Sequence, residues 1–582
     1  MSRTQRCRAD RLLAGVASCC LAVALPAVAR AQAVNLGDTT GGGGGGGAAS
    51  AGPGGGLAPS VAPQPGGIGV PATNPFGAST PTLNERLGNA LGLPFASSPG
   101  TPAVQVTPAI NLEQGWTNNV FATPGFKPES AFFTIINPSL TVAADTQRLQ
   151  LSASYAPDFY IYEPPRGQNF IAQNLAAQAH VIVVPDAVFV DVSAFAGLQT
   201  ISGGYGPPGT VLGNQVNSSQ DYGFSLSPYL LRQIGDLGTL QVGGLIGETA
   251  QVVPGGIVVA AAPGLPPQTV ASENMTTTEE FASFTSGDAT QRLQSTISAM
   301  ASQSYGTGVN GGAYQDTVSY QAAYAITHSF SLLGTVGWQD LHYGGVPPVN
   351  ISGLLWNVGF SYTPSADSNI TVRYGRTDGL ESAYVSASYN PTPRTQLTAN
   401  YSRTVTTDLQ QLLGGLGGIA PTPGGGAIST QTGLPFLLGN NFVGINSAVY
   451  VYGSAVATAA LQLDRDSFQA SVNSQTETPL NAAAAGAFAF KNVDTYGTLS
   501  WAHDLSPVIQ TTASVQYGVM QASGGGFSQQ STVLVGTAQV TYALSATLSA
   551  NLQYSHTVDN FSHPPLPGFA ADVILVGVQK TF

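Results

Sequence analysis

Six histidines are the first residues to weigh for chemistry: His180, His328, His342, His503, His556 and His563. Two have a neighbour suited to proton transfer. His342 follows Asp340 by two positions, and His556 follows Ser555 directly. Acyl transfer needs a Ser hydroxyl and a His ring converging on one point, with a third group orienting the ring. Consecutive strand residues point to opposite faces, so Ser555 and His556 cannot supply that pair by themselves. Metal chemistry finds no close His pair, and Cys7, Cys19 and Cys20 all fall at the extreme N-terminus. The Gly-rich runs are not phosphate loops, because no Lys-Ser/Thr follows them between a strand and a helix. These residues predict no enzyme, no cofactor and no metal. A different set is left, polar and scattered through alternating segments: Arg148, Asp158, Arg373, Asn400, Asn551 and Gln553. These are candidates to line a lumen of mostly Ser, Thr, Gln and Asn. Selecting ions takes rings of charge, whereas neutral hydroxyls and amides suit water, sugars or a neutral glycan.

The elements that must position such residues are strands. In "TLSANLQYSHTV" Leu548, Ala550, Leu552 and Tyr554 share one side, and Asn551, Gln553 and Ser555 the other. "RTQLTANYS" sets Leu397, Ala399 and Tyr401 against Thr398, Asn400 and Ser402. "SVQYGV", "NITVRYG" and "SLLGTVGWQ" repeat the pattern with no helical segment between. One such strand fits a soluble sandwich. A long series would need a second sheet to cover its apolar face, and it would leave open edges. Closure within a bilayer removes both problems.

Composition agrees. Charged residues are 8 % of 582, against about 25 % in an ordinary soluble domain. No apolar run after the N-terminus approaches the roughly 20 residues of a membrane helix. The net charge of −12 offers no basic stripe for nucleic acid.

The N-terminus reads as a secretory signal over residues 1–31, with Arg3, Arg6, Arg8 and Arg11 before an apolar core and cleavage after Ala31. "VASC" is a rival lipoprotein reading that places a lipid on Cys19. Residues 32–107 are too rich in Gly and Pro to bury a core, so they are expected to be disordered, as a spacer or a tethering arm. Residues 108–582 form the barrel.

Counting alternating segments gives a single closed antiparallel transmembrane β-barrel of about 22 strands, within about 18–24. Short turns such as "VPD", "ITH", "NPTPR" and "LDRD" alternate with long connections such as 250–273 and 407–443. That is the outer-membrane arrangement, with short turns periplasmic and both termini on that side. "GGLGGIAPTPGGG" belongs to the longest connection, which could fold into the lumen as a constriction. Tyr155, Tyr162, Trp338, Tyr374, Tyr389, Tyr401, Trp501, Tyr517, Tyr542 and Tyr554 are expected in interfacial girdles. The chain ends on "VILVGVQKTF", with Ile574, Val576 and Val578 on one face and Phe582 last.

Three stretches resemble the outer-membrane β-barrel porins often encoded beside exopolysaccharide loci. They are "INLEQGWTNNVF", "FFTIINPSLTV" and "RLQLSASYAPDFYIY". Thr117, Asn119, Pro138, Arg148, Tyr155 and Tyr160 carry the likeness, as do Pro393, Arg394, Thr395, Leu397, Tyr401 and Arg403 later. Asn118 stands where that family usually has Asp. The resemblance implies an outer-membrane barrel of ill-defined substrate. A last strand ending on an aromatic residue, here Ile574, Val576, Val578 and Phe582, resembles the signal read by the barrel-assembly machinery. The expected partners are outer-membrane lipid, that machinery, and a polar solute or polysaccharide. The leading expectation is a porin passing polar, saccharide-like solutes or exporting a polysaccharide. The alternatives are a scaffold barrel with an occluded lumen and an outer-membrane transporter lacking a plug.

Overall fold

The computed structural model describes residues 103–582 except 121–126, 164–168, 201–217, 254–256, 260–267, 271, 288–291, 366–367, 422–426, 430–447, 483–490, 525–526 and 564–567. The expected signal, and the Gly/Pro-rich segment as far as residue 102, lie outside the described residues. The first strand begins at Val104 rather than at 108.

A single antiparallel sheet of 24 segments holds the fold together. Two of its staves are interrupted: Leu149–Tyr155 continues as Asp158–Tyr162, and Phe170–Ala172 continues as Leu175–Val184. Counted as staves the sheet has 22 strands, and it is closed. Closure is direct, because the first strand (Val104–Thr117) pairs antiparallel with the last (Phe569–Thr581) from Ala109↔Thr581 to Thr117↔Val573. Every stave of the barrel thus has two neighbours, and the ring of described strands leaves no edge to template aggregation; two short hairpins, Ile257–Val259 with Gln268–Val270 and Ile419–Pro421 with Ala427–Ser429, stand apart from it.

Both ends of the barrel chain lie at the end with the short turns. There the chain reverses at Thr146–Arg148, Asp186, Leu237, Arg394 and Pro507 between long paired strands. The opposite end carries the longer connections, with two exceptions, after Thr377 and after Gly524. Asp378 (φ 55°) and Gly379 (φ 71°) reverse the chain in two residues, a geometry that wants Asp-Gly because both positions are left-handed.

The outer face is apolar. Ile110, Leu112, Val318, Val336, Leu354, Val358, Val472, Leu552, Ile574, Val576 and Val578 are all exposed. Two belts of rings bracket it. Tyr324, Tyr362, Tyr389 and Tyr542 lie beside short turns, and Tyr305, Tyr314, Trp338 and Tyr374 lie toward the loops. Tyr314 and Tyr324 belong to one strand (Ala313–Ala325). Their ten-residue separation spans ~33 Å along the strand at ~3.3 Å per residue, or ~25 Å of height at a tilt near 40°. That equals the apolar band of a transmembrane barrel. One expected girdle residue is misplaced. Tyr162 points inward, is buried, and packs on Phe133 with ring centroids 5.4 Å apart. An odd separation from the outward Tyr155 requires it to face the other way.

Candidate functional site: an acidic interior crossed by a helix

The connection after the strand Thr395–Thr406 turns into the lumen. It forms the helix α1 (Asp408–Gly415), followed by a 3-10 turn at Leu416–Gly418. Local sequence explains the start. Thr407 accepts from the Gln410 amide, the Gln410 side chain accepts from the Thr407 amide, and Asp408 adds negative charge in the first turn. Leu409, Leu412, Leu413 and Leu416 repeat at helical spacing and present one apolar face. That face is buried with Ile419 against Ala176, Phe195, Leu245 and Met275 of the inner wall.

Small wall residues make the seat. A Cβ on Gly247 would collide with the Leu413 side chain, and one on Gly223 would meet Leu416 at 2.8 Å. Polar contacts anchor both ends of the segment. Thr407 Oγ1 donates to Asn310 (2.9 Å) and the Tyr343 hydroxyl to Gln410 (3.1 Å). Thr249 Oγ1 donates to the Leu409 carbonyl (3.3 Å), and Gln178 Nε2 donates to the carbonyls of Leu416 (3.2 Å) and Gly417 (3.1 Å). The segment leaves the fifteenth stave and reaches the fourth, half-way round a ring of 22. The constriction expected from the longest connection is therefore present in its described part. Near its root, Asp378 accepts from the Thr404 hydroxyl (2.7 Å) and the Val405 amide (3.2 Å). Burial raises the Asp378 carboxyl above the ordinary range, against the lowering by those two donors.

The interior wall is acidic, not neutral. Alternation with outward residues places Glu113, Asp158, Asp191 and Asp504 on the inner face. In the loop-side half it adds Asp221, Glu273, Glu279, Glu477, Asp494 and Asp559. Arg373 is the inward arginine of the described strands, and Arg376 and Arg403 face outward. The expectation of a lining of mostly neutral Ser, Thr, Gln and Asn is corrected. Most cations sit instead in turns (Arg148, Arg292, Arg394, Arg465) or on the outside.

Of the candidate lining residues, Asp158 accepts from Asn137 and Asn174, and Asn551 donates to Glu113 at 2.9 Å. Asn400 and Gln553 lie on the inner face of their strands, and Arg373 lies there opposite Tyr384. Arg148 does not join them, because it sits exposed in a short turn. Four of the six histidines pair with a carboxylate or an amide: His180 with Asp191 (2.6 Å), His503 with Asp466 (2.8 Å), His556 with Asp572 (2.7 Å) and His342 with Asn350 (2.6 Å). Ser555 is buried on the inner face while His556 bonds the outward Asp572, as alternation requires. At the short-turn mouth a recess of about 590 Å³ is lined by Arg465, Asp504, Gln510, Thr541, Gln579 and Thr581 among others.

Asn118 and Asn119 of the "TNN" stretch close the seam beyond its last rung. Asn118 Nδ2 donates to Asp572 Oδ2 (2.6 Å), Asn118 Oδ1 accepts from the Asp572 amide (2.8 Å), and Asn119 Nδ2 donates to the Ala570 carbonyl (3.0 Å). Tyr554 donates to the same carboxylate at 2.8 Å.

No protein-family model matches the chain, and no curated protein does. Among solved structures it is similar to the FrpB iron transporter of Neisseria meningitidis (10% identity, 82% of this chain, 81% of that one, TM-score 0.45). It is similar to the siderophore receptor PirA of Acinetobacter baumannii (7% identity, 82% and 80% covered, TM-score 0.45). It is also similar to the ferric-catecholate import receptor Fiu of E. coli (11% identity, 82% of each chain, TM-score 0.46). At TM-scores below 0.5 these likenesses do not bear on cargo.

Proposed function

We propose that the chain is an outer-membrane transport barrel for polar solutes whose lumen is narrowed from within by residues 407–419. The observation that carries this reading is α1, seated on the inner wall by an apolar face and crossing to the far side of the ring. A freely open diffusion pore, the leading expectation from sequence, has no use for so firmly docked a segment. A transporter whose own loop supplies the restriction fits better. The closed ladder, the apolar outer band and the two aromatic belts support an outer-membrane location with the short turns and both barrel termini periplasmic. Polysaccharide export, suggested by the resemblance to exopolysaccharide-locus porins, would need α1 to move aside.

A second reading is a scaffold with a blocked lumen. Apolar clusters on the inner face at the loop end favour it, one around Phe133, Tyr160 and Leu575, another around Leu341, Tyr343 and Val449. Swelling of proteoliposomes holding the full chain separates the two. Entry of small polar solutes such as amino acids and monosaccharides supports transport, and no swelling with any solute supports the scaffold.

A further inference from the structure

We infer that the barrel interior selects cationic solutes and that Glu477 and Asp494 form a cation-binding post on its loop-side wall; this rests on the transport reading and names its substrate class. The two carboxylates belong to neighbouring strands, Asp466–Pro479 and Lys491–Ser506. Glu477 stands opposite Asn492 and Gln475 opposite Asp494, so the acids are diagonal neighbours on one face. Such positions lie ~7–8 Å apart at Cα and closer at the side chains, within reach of one cation.

Their surroundings do not balance them. Glu477 accepts from Asn492 Nδ2 at 3.2 Å. Asp494 is 3% exposed, and its Oδ1 has no hydrogen-bond partner. A buried carboxylate normally has donors or a counter-charge, because leaving it bare forfeits hydration that nothing replaces. Here the charged neighbour is a second carboxylate, which makes matters worse. A cation placed between the two removes both penalties. Among the described residues no three His, Cys, Asp or Glu gather as a metal cage, so the ligand is a cation that needs only two carboxylates, such as the ammonium group of a polar solute. Tyr452 and Tyr496 flank the acids on the same inner face, giving such a group ring faces as well.

The wider interior points the same way. Asp221, Glu279 and Asp559 are buried on the inner wall, and Arg373 is the inward arginine of the described strands. Fixed carboxylates in a low-dielectric tube concentrate cations and repel anions even where they do not touch the solute.

Two measurements on the refolded full chain test this. The first is the reversal potential in planar bilayers under a KCl gradient, with the wild type passing K+ over Cl−. Glu477→Gln with Asp494→Asn should lower that preference by about threefold or more, while the outward Glu280→Gln leaves it unchanged. An anion-preferring or indifferent current overturns cation selection. A preference untouched by the double variant overturns the assignment to Glu477 and Asp494. The second is calorimetric titration with spermine, which needs no current. Binding weakened about tenfold in the double variant but not in Glu280→Gln supports the post, and equal binding overturns it. A barrel that binds spermine this way yet carries no current refutes transport and leaves the cation site standing.

Discussion

Replacing Leu412 and Leu416 by Asp should release α1 from the wall while leaving the barrel closed. Both leucines are fully buried in the cluster with Ala176, Phe195, Leu245 and Met275. Removing each large aliphatic side chain forfeits about 2–3 kcal/mol of burial. Holding a carboxylate among those groups costs several kcal/mol more, or the segment leaves. Together the two changes remove on the order of 8 kcal/mol of docking. The few anchoring hydrogen bonds return only about 1 kcal/mol each. The strand ladders do not depend on α1, so only the segment should come loose. The assay is maleimide labelling of Leu413→Cys in the refolded full chain, with Cys7, Cys19 and Cys20 changed to Ser. Leu413 is 6% exposed when docked, so the parent should label slowly. The double Asp variant should label faster by about 100-fold or more, with the same heat-modifiable band shift on gels. An unchanged rate would refute the view that apolar packing holds the segment in the lumen.

Other outcomes follow from the same contacts. Asn118→Asp replaces the Nδ2 donor with a second carboxylate against Asp572, while the Asp572 amide keeps an acceptor; the seam should lose about 2–3 kcal/mol, discounted for partial exposure, read as a lower urea midpoint in liposomes. Asn118→Ala should cost about half as much. Because the folded Asp378 carboxyl is raised, its contribution is complete below the unfolded value and is lost as pH rises through the folded one. Hydrogen exchange at the Val405 amide should accordingly speed up above the ordinary carboxylate range, beyond the intrinsic rise with pH, and Asp378→Asn should abolish that excess. Deleting Phe582, which is 73% exposed and whose amide donates to the Pro108 carbonyl at 2.9 Å, should lower assembled barrel relative to periplasmic precursor in cells; equal levels would count against an assembly role.

Strand number was legible because alternation survives in nearly every segment, and the turn composition separated the two ends. The Asp378–Gly379 reversal was equally legible, since Asp-Gly between alternating runs is a hairpin signal. Reading every loop-end connection as long concealed it. In α1 the Thr407–Gln410 capping pair and the leucines at 409, 412, 413 and 416 spell a helix, but they adjoin a Gly-rich run that reads as loop. Its inward fold is a tertiary choice, set by Gly223 and Gly247 on distant strands, and no local pattern announces it. The acidic interior was within reach of counting. Asp494 and Glu477 have the opposite parity to the exposed Leu499 and Val472 on their own strands. Averaging charge over both faces hid the imbalance, because the arginines sit in turns and outside. The Asn118–Asp572 seam, joining residues 454 apart, needs ring closure before it exists.

The central claim, a transport barrel restricted by its own loop, is tested most directly by single-channel conductance. The full chain should be compared with a form in which residues 408–447 are replaced by a short Gly-Ser linker. Removing the crossing segment should raise conductance by about threefold or more while the folded band on gels is kept. Equal conductance in the two forms would contradict the claim, because the helix would then lie outside the path.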